Sequence, residues 1–179
     1  MKHFLLLFLF VTTSISIHAQ FKLIKADSYL DVRTGKLISP ANLLIENGTI
    51  KSINPKALPE GIETVDLTGK ILLPGLMDMH VHLDGDFTGS WDYVYKESAS
   101  QGTVRAVVNA EKTLMAGFTT IRSIGQLHIT PELIDVAVSE ASDKGMIAAP
   151  RIIPSGHMIS ISGGHGDISL GLAEGLVTV

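Results

Sequence analysis

After Gly75 the sequence alternates short apolar segments with longer amphipathic ones, and this alternation constrains the fold more than any other feature. The segments LMDMHVHL, FTTIRSI and PRIIPSG are short and rich in apolar or β-branched residues, which predicts three strands. Residues 98–115 and 130–144 lie between these segments and predict two helices. A strand–loop–helix–strand–helix–strand order implies parallel strands joined by right-handed crossovers. We therefore predict an α/β fold for this part of the chain.

Local signals set the expected ends of the two helices. The first carries apolar residues at helical spacing and stops before Gly117, which stands where a helix-terminating C′ residue would. The second begins at Thr130-Pro131-Glu132, which supplies an N-cap, a proline at N1 and an acid in the first turn. Gly145 marks its end.

Residues 20–73 predict a different, all-β unit. The segment FKLIKADSYL alternates apolar and polar residues, and ETVDLTGKILLPG adds one or two further strands. Asn47-Gly48 stands between two apolar runs and predicts a tight hairpin, because both turn positions need a positive φ. Helical spacing is not evident in this region, so we expect a small antiparallel β unit that ends near Pro74-Gly75.

Residues 1–19 resemble a targeting segment more than a structural one. Lys2 precedes an apolar run over residues 4–11, and a polar tail of small residues follows. The run is shorter than the roughly 20 residues that span a bilayer, which disfavours the alternative of an uncleaved anchor. We expect a signal peptide that is cleaved near Ala19 or Gln20. Export to the periplasm or the outside of the cell would follow, with no stable membrane span after cleavage.

Composition excludes several classes of partner. The chain has 45% hydrophobic and 18% charged residues, which is typical of a folded globular domain. Its net charge of −4 gives no reason to expect binding to nucleic acid or to an anionic membrane. It contains no cysteine, so disulfides and a lipid-modified N-terminal cysteine are excluded.

The pair His80 and His82 is the candidate site of chemistry. Residues i and i+2 of a strand project to one face, about 6.5–7 Å apart along the chain, so both imidazoles can reach one cation. Val81 would then point to the opposite, apolar side. Imidazoles suit zinc, or Mn, Fe or Co in the same geometry. Two ligands do not complete a tetrahedral site, and a strand histidine is also often an ordinary hydrogen-bonded residue.

The segments around this pair resemble the amidohydrolase superfamily. LPGLMDMHVHL is similar to the superfamily's signature, in which a small β-sandwich leads through Pro-Gly into the first strand of a (β/α)8 barrel. LMAGFTTIRSIG and APRIIPSGHMISISGGHGD resemble the second and third strand segments of its imidazolonepropionase-like and Xaa-Pro or Xaa-Arg dipeptidase-like branch. The resemblance covers residues 20–179 in the right order.

This resemblance implies a fold and a chemistry. The fold would be an incomplete β-sandwich over residues 20–73, then the first roughly three βα units of a TIM-like barrel over 74–179. His80 and His82 would bind one or two divalent metals, with zinc favoured. The remaining ligands are a carboxylated lysine and further histidines. The proton-transferring aspartate is also expected from later strands, beyond Val179, so this chain would hold no catalytic residue of its own.

Length sets the expectation for completeness. A (β/α)8 barrel needs at least about 200 residues, whereas about 105 follow Pro74. We therefore expect an N-terminal fragment that is inactive by itself. A genuine short product and an early stop in the reading frame are the alternatives.

Other polar residues carry weaker hypotheses. His165, in SGGHGD, is predicted to contact substrate, and His157 is a weaker candidate for that role. Asp78 could orient an imidazole or make a strand-entry hydrogen bond, with neither favoured. Asp84 and Asp86 are expected to be solvated loop acids. For Arg122, in TTIRS, a structural ion pair and a substrate-carboxylate clamp stay equally open; Ser123 replaces the acid usual in relatives.

The function we predict is metal-dependent hydrolysis of a C–N bond in a small amide or dipeptide through a metal-activated water. Deacetylase or deaminase chemistry on the same barrel is an alternative within hydrolases. A non-catalytic exported protein that binds metal or forms oligomers is the alternative outside them. A homo-oligomer is compatible with either hypothesis.

Overall fold

The computed structural model describes residues 20–167. The predicted signal peptide lies outside the described residues. The chain divides into two compact units, one ending at Pro74 and one beginning at Gly75. No helix among residues 20–167 is both long enough and apolar enough to cross a bilayer.

The first unit is a five-stranded sheet. Its strands are β1 (Phe21–Asp31), β2 (Lys36–Ile38), β3 (Ala41–Glu46), β4 (Thr49–Ile53) and β5 (Glu63–Leu72). The order β2-β1-β3-β4 comes from successive antiparallel neighbours, and β5 lies beside β1. A small cluster of Ala26, Ala41 and Leu43 forms its buried centre.

The predicted hairpin is confirmed, but the prediction of a wholly antiparallel unit is wrong. Asn47 and Gly48 join β3 to β4 with φ values of 49° and 78°. In contrast, β1 and β5 pair in parallel, from Lys22 opposite Glu63 to Tyr29 opposite Leu72. The segment between β4 and β5 is long enough to cross over the sheet, so β5 returns to the central strand in the same direction. Hairpin signals report only on strands adjacent in sequence.

The second unit is a three-stranded parallel sheet with helices in its connections. The strands are β6 (Leu76–Val81), β7 (Phe118–Ser123) and β8 (Arg151–Ile153), in that order. The helices are α1 (Tyr93–Lys96), α2 (Ala99–Met115) and α3 (Ile134–Asp143). This mixed α/β arrangement confirms the predicted parallel order of the three strands.

The ends of α2 agree with the sequence, whereas the start of α3 does not. Ser98 and Gln101 form a capping box at the start of α2, and Gly117 follows its end with a φ of 96°. Helix α3 begins at Ile134, after the predicted Thr130 N-cap. The buried side chain of Gln126, eight residues earlier, accepts the Ile134 N–H at 2.8 Å and so caps the helix from outside its first turn. The prediction from local residues was therefore wrong by about one turn.

One apolar cluster holds the parallel sheet against its helices. Its fully buried members are Leu83, Ala106, Ala110, Ile121, Ile134, Val138 and Ile152. Val81 packs against the same cluster, as its alternation with His80 and His82 predicts. The core therefore anchors β6 through the residue between the two histidines.

The close approach of β6 and β7 at Gly75 gives a testable prediction. A Cβ at this position would lie 2.0 Å from Oγ1 of Thr119, whose β-branched side chain has few alternative rotamers. We expect Gly75→Ala to lower the free energy of unfolding by about 1–3 kcal/mol, measured by chemical denaturation. Gly89→Ala is the control, because a Cβ there meets nothing within 4 Å. Equal denaturation midpoints for the two variants would contradict the prediction.

Candidate metal centre

The two predicted ligands lie together at the C-terminal end of β6. His80 belongs to the strand and His82 follows Val81 directly. Their ring centroids are 5.7 Å apart in an edge-to-face arrangement. Both side chains line one cavity. The structure therefore brings the two imidazoles to one place.

A hydrogen bond fixes the ring of His82. Its Nδ1 donates to the backbone carbonyl of Gly125, 2.7 Å away, just beyond the end of β7. A carbonyl only accepts, so the neutral ring carries its proton on Nδ1 and keeps the lone pair of Nε2 for a ligand. Gly125 has a φ of 134°, and a Cβ there would lie 2.0 Å from Cγ of Met158. Glycine is therefore required where this carbonyl is presented.

Asp84 is buried, which corrects the expectation of a solvated loop acid. Its side chain is 1% exposed. Oδ2 accepts the backbone N–H of Leu127 at 2.7 Å and that of His128 at 2.8 Å. The His128 ring donates to the same oxygen from Nδ1, at 2.9 Å. The loop after β6 and the loop after β7 are thus joined by one carboxylate.

His128 extends this contact into a buried polar network that the sequence did not reveal. Its Nε2 lies 3.3 Å from Oε2 of Glu97, and Glu97 forms an ion pair with Arg105 at 2.5 Å. The hydrogen bond from Arg105 lowers the pKa of Glu97 and raises the pKa of Arg105 itself. The guanidinium of Arg105 stacks 4.7 Å from the ring centroid of Tyr93, whose hydroxyl pKa is raised by burial.

The remaining sequence candidates form hydrogen bonds to groups within the second unit. Asp78 accepts the backbone N–H of His80 at 3.0 Å, which is the strand-entry alternative. Asp86 binds the backbone and hydroxyl of Thr88, and these hydrogen bonds lower its pKa. Arg122 donates to the carbonyl of Met79. His157 forms a hydrogen bond to the carbonyl of Thr130 through Nε2.

The cavity in front of the histidine pair is mainly apolar. Its volume is about 710 Å³. The apolar lining consists of Phe87, Trp91, Val94, Leu127 and Met158, and the polar lining of His80, His82, His165 and Asp167. His165, the predicted substrate-contacting residue, therefore shares this cavity with the two histidines.

A second cavity, of about 850 Å³, also reaches both histidines. It lies against α2, with Arg105, Asn109, Lys112 and Thr113 in its wall. This side is the outer edge of β6, which is an end strand of the described sheet. The first cavity instead lies between the loops that follow β6 and β8, where an α/β unit places its ligands. It is the better candidate for a substrate site.

The donor set fits part of a metal centre. Within residues 20–167, no group of three or more His, Cys, Asp or Glu side chains is placed to hold a metal ion together. Two imidazoles, one held in its ligating tautomer by a carbonyl, are nonetheless donors that zinc and related divalent cations take. The described residues therefore fit such a cation and offer it two donors.

Comparison with known protein families shows to which family the chain belongs. The sequence model of the Amidohydrolase family matches residues 71–178, a range that contains both histidines and the whole parallel sheet. The chain belongs to the amidohydrolase family. Divalent-metal dependence is typical of this family.

Curated relatives include dihydroorotases. That of Trichlorobacter lovleyi is 31% identical over 144 residues, which cover 76% of this chain and 31% of that protein. That of Syntrophus aciditrophicus is 38% identical over 99 residues, which cover 50% of this chain and 20% of that protein. The chain spans about a third or less of the length of these relatives.

Solved amidohydrolases with similar structures include peptidases. A Xaa-Pro dipeptidase with bound methionine in its active site has a TM-score of 0.75 and 29% identity, covering 86% of this chain and 37% of that one. A prolidase complexed with N-methylphosphonate-L-proline has a TM-score of 0.70 and 27% identity, covering 82% and 34%. These neighbours confirm the resemblance to the dipeptidase-like branch, over an N-terminal part of such proteins.

Proposed function

We propose that the protein containing this chain is a metal-dependent hydrolase of C–N bonds in small amides or dipeptides. The observation that carries the proposal is the pair His80 and His82, with the His82 ring held by the Gly125 carbonyl at one end of a parallel sheet. The proposed fold is a TIM-like barrel, of which residues 75–167 form the first strands, preceded by an incomplete β-sandwich. Dihydroorotase and Xaa-Pro dipeptidase relatives support this class of reaction.

Each residue of the candidate centre has a proposed task. His80 and His82 hold the cation, with zinc favoured. When bound there, a divalent cation brings the pKa of a water near neutrality and polarises the amide carbonyl. His165, which lines the same cavity, contacts the substrate. Further ligands and the proton-transferring aspartate come from outside this chain, so these 179 residues are proposed to be inactive alone.

The apolar cavity points to the kind of substrate. Aromatic and aliphatic side chains make up the wall beside the histidine pair, and the described lining contains neither Lys nor Arg. An apolar substituent next to the scissile amide would be buried there, whereas an acidic one would lose its hydration without a cationic partner. The related Xaa-Pro dipeptidase was solved with methionine, an amino acid with an apolar side chain, bound in its active site.

Two alternatives remain as outcomes of the test. Deaminase or deacetylase chemistry would use the same two histidines with a different substrate. A non-catalytic exported protein would bind metal without turnover, as a monomer or as an oligomer.

Export itself, to the periplasm or beyond, is proposed from the basic and apolar pattern of residues 1–19.

The deciding experiment uses the protein in the full length that its gene encodes. We expect the zinc-loaded protein to hydrolyse dipeptides or cyclic amides, to lose this activity on chelation and to regain it with zinc, manganese or cobalt. Among substrates that differ at one position, those with leucine, methionine or phenylalanine should exceed those with aspartate by at least about tenfold in kcat/KM, since each buried methylene contributes about 0.8 kcal/mol.

Metal binding without turnover of any amide, acetylated amine or amino-substituted ring would contradict the proposed function and favour the non-catalytic alternative. Hydrolysis that survives complete removal of metal would contradict the metal dependence. Equal rates for leucine and aspartate substrates would reject only the apolar specificity.

A further inference from the structure

We infer that Asp84 is a positioning residue for the candidate metal centre: it anchors the segment 125–128, whose Gly125 carbonyl holds the His82 ring in its ligating tautomer. The inference rests on the proposed function only in taking His82 as a ligand. Asp84 does not line the cavity, because its carboxylate binds a backbone segment. Its proposed role is therefore to position a ligand and not to be one.

Three successive contacts join the end of β6 and the loop that follows it to the loop after β7. The N–H of Ile124 donates to the carbonyl of Val81 at 3.1 Å. One residue further along each segment, His82 donates to Gly125. Two residues beyond His82, Asp84 accepts from the backbone of Leu127 and His128. The His82 contact is therefore the middle one of three, and Asp84 closes the series.

The last of these contacts, made by Asp84, is the strongest of the three. Oδ2 of Asp84 takes three donors at 2.7–2.9 Å, and hydrogen bonds to a carboxylate are about twice as strong as neutral ones. Burial removes the competing water, since Asp84 and His128 are each 1% exposed. Backbone pairing between β6 and β7 ends near Ser123, and beyond it the carboxylate of Asp84 joins the segment 125–128 to the loop after β6. On the side of β8, the N–H of Gln126 donates to the carbonyl of Gly156 at 3.1 Å.

His128 sets the direction of this contact. Its ring lies between two carboxylates, with Nδ1 2.9 Å from Oδ2 of Asp84 and Nε2 3.3 Å from Oε2 of Glu97. Gly102 makes room for the ring, because a Cβ there would lie 2.9 Å from Nδ1 and Cε1 of His128. Packing against Gly102 therefore restricts the position of the His128 ring, and the ring in turn orients the Asp84 carboxylate.

A merely structural role for Asp84 predicts something different. In that case its loss would lower stability without changing the His82 ring in the folded protein. A positioning role predicts that the ring of His82 changes its tautomer population and its metal affinity while the fold is retained. Mutation of a residue that hydrogen-bonds to a metal-binding histidine typically lowers metal affinity by 10- to 100-fold.

The test compares Asp84→Asn with Asp86→Asn in the full-length protein. The two acids lie two residues apart in the same loop, but the side chain of Asp86 accepts its hydrogen bonds from Thr88 and not from the segment 125–128. Nitrogen-15 NMR of histidine-labelled, metal-free protein at one mildly alkaline pH reports the tautomer of His82. We expect a single Nδ1–H form in the wild type and in Asp86→Asn, and a mixture in Asp84→Asn. Zinc titration should give a dissociation constant about 10- to 100-fold higher for Asp84→Asn alone.

Circular dichroism and thermal melting establish that the compared variants are folded. If Asp84→Asn does not fold, His128→Gln replaces it. This change keeps both backbone donors to Asp84 and removes the ring that orients its carboxylate, so a smaller change of the same kind in the His82 spectrum and in zinc affinity is expected. A folded Asp84→Asn or His128→Gln protein with the wild-type His82 spectrum and zinc affinity would overturn the inference, as would equal effects from Asp86→Asn. If the wild type binds no zinc, the proposed function fails, whereas the metal-free spectrum still decides the role of Asp84.

Discussion

Replacing His82 with alanine is expected to lower kcat/KM of the proposed hydrolysis by the full-length protein by about 10³-fold or more. A catalytic cation contributes several kcal/mol to transition-state stabilisation, and each 1.36 kcal/mol is a factor of ten. The variant loses the proposed ligand whose tautomer is fixed by the Gly125 carbonyl, so the proposed cation site loses one of its two described donors. Metal content by mass spectrometry after gel filtration should fall in parallel with activity. His80→Ala should behave in the same way.

A matched control separates loss of a ligand from loss of any histidine. His157→Gln removes an imidazole whose Nε2 contacts the carbonyl of Thr130, and the glutamine amide can donate to the same oxygen. It should retain its metal and its kcat/KM within a few fold. A His82→Ala protein that keeps both metal and activity would show that the histidine pair is not the metal centre, even if the protein proves to be a hydrolase.

The elements predicted well from the sequence are those governed by neighbouring residues. The helix predicted over residues 98–115 and the Asn47-Gly48 hairpin depend on groups a few positions apart. The shared position of His80 and His82 follows from strand alternation in the same way. In contrast, the Thr130 signal did not begin a helix, because the side chain of Gln126, eight residues before Ile134, supplies that cap.

The part of the site that sequence could not predict is formed by contacts over about 43 positions. Asp84 resembles a loop acid in sequence, since a polar, glycine-containing stretch surrounds it. Its burial depends on two backbone N–H groups and a histidine of another loop. His128 is a lone histidine in the segment GQLHI and carries no motif. Register between distant segments decides both roles, and no local pattern encodes that register.

A second large effect is expected at Asp135, in the first turn of α3. The side chain is 2% exposed and accepts the backbone N–H of Ser155 at 3.0 Å and of Gly156 at 3.1 Å. It thereby ties the helix to the loop after β8, which leads to Met158 in the cavity wall. Asp135→Ala leaves two backbone donors without their partner, each at a cost of about 1–3 kcal/mol.

We therefore expect Asp135→Ala to destabilise the second unit by about 3 kcal/mol, measured by chemical denaturation, and to raise KM because the cavity wall loses its support. Asp143→Ala is the matched control, since it makes the same change at the exposed, C-terminal end of the same helix. A carboxylate there opposes the helix dipole, so its removal should be neutral or slightly stabilising. Equal stability of the two variants would mean that the loop after β8 is held by other contacts, and the assignment of Asp135 as its anchor would be wrong.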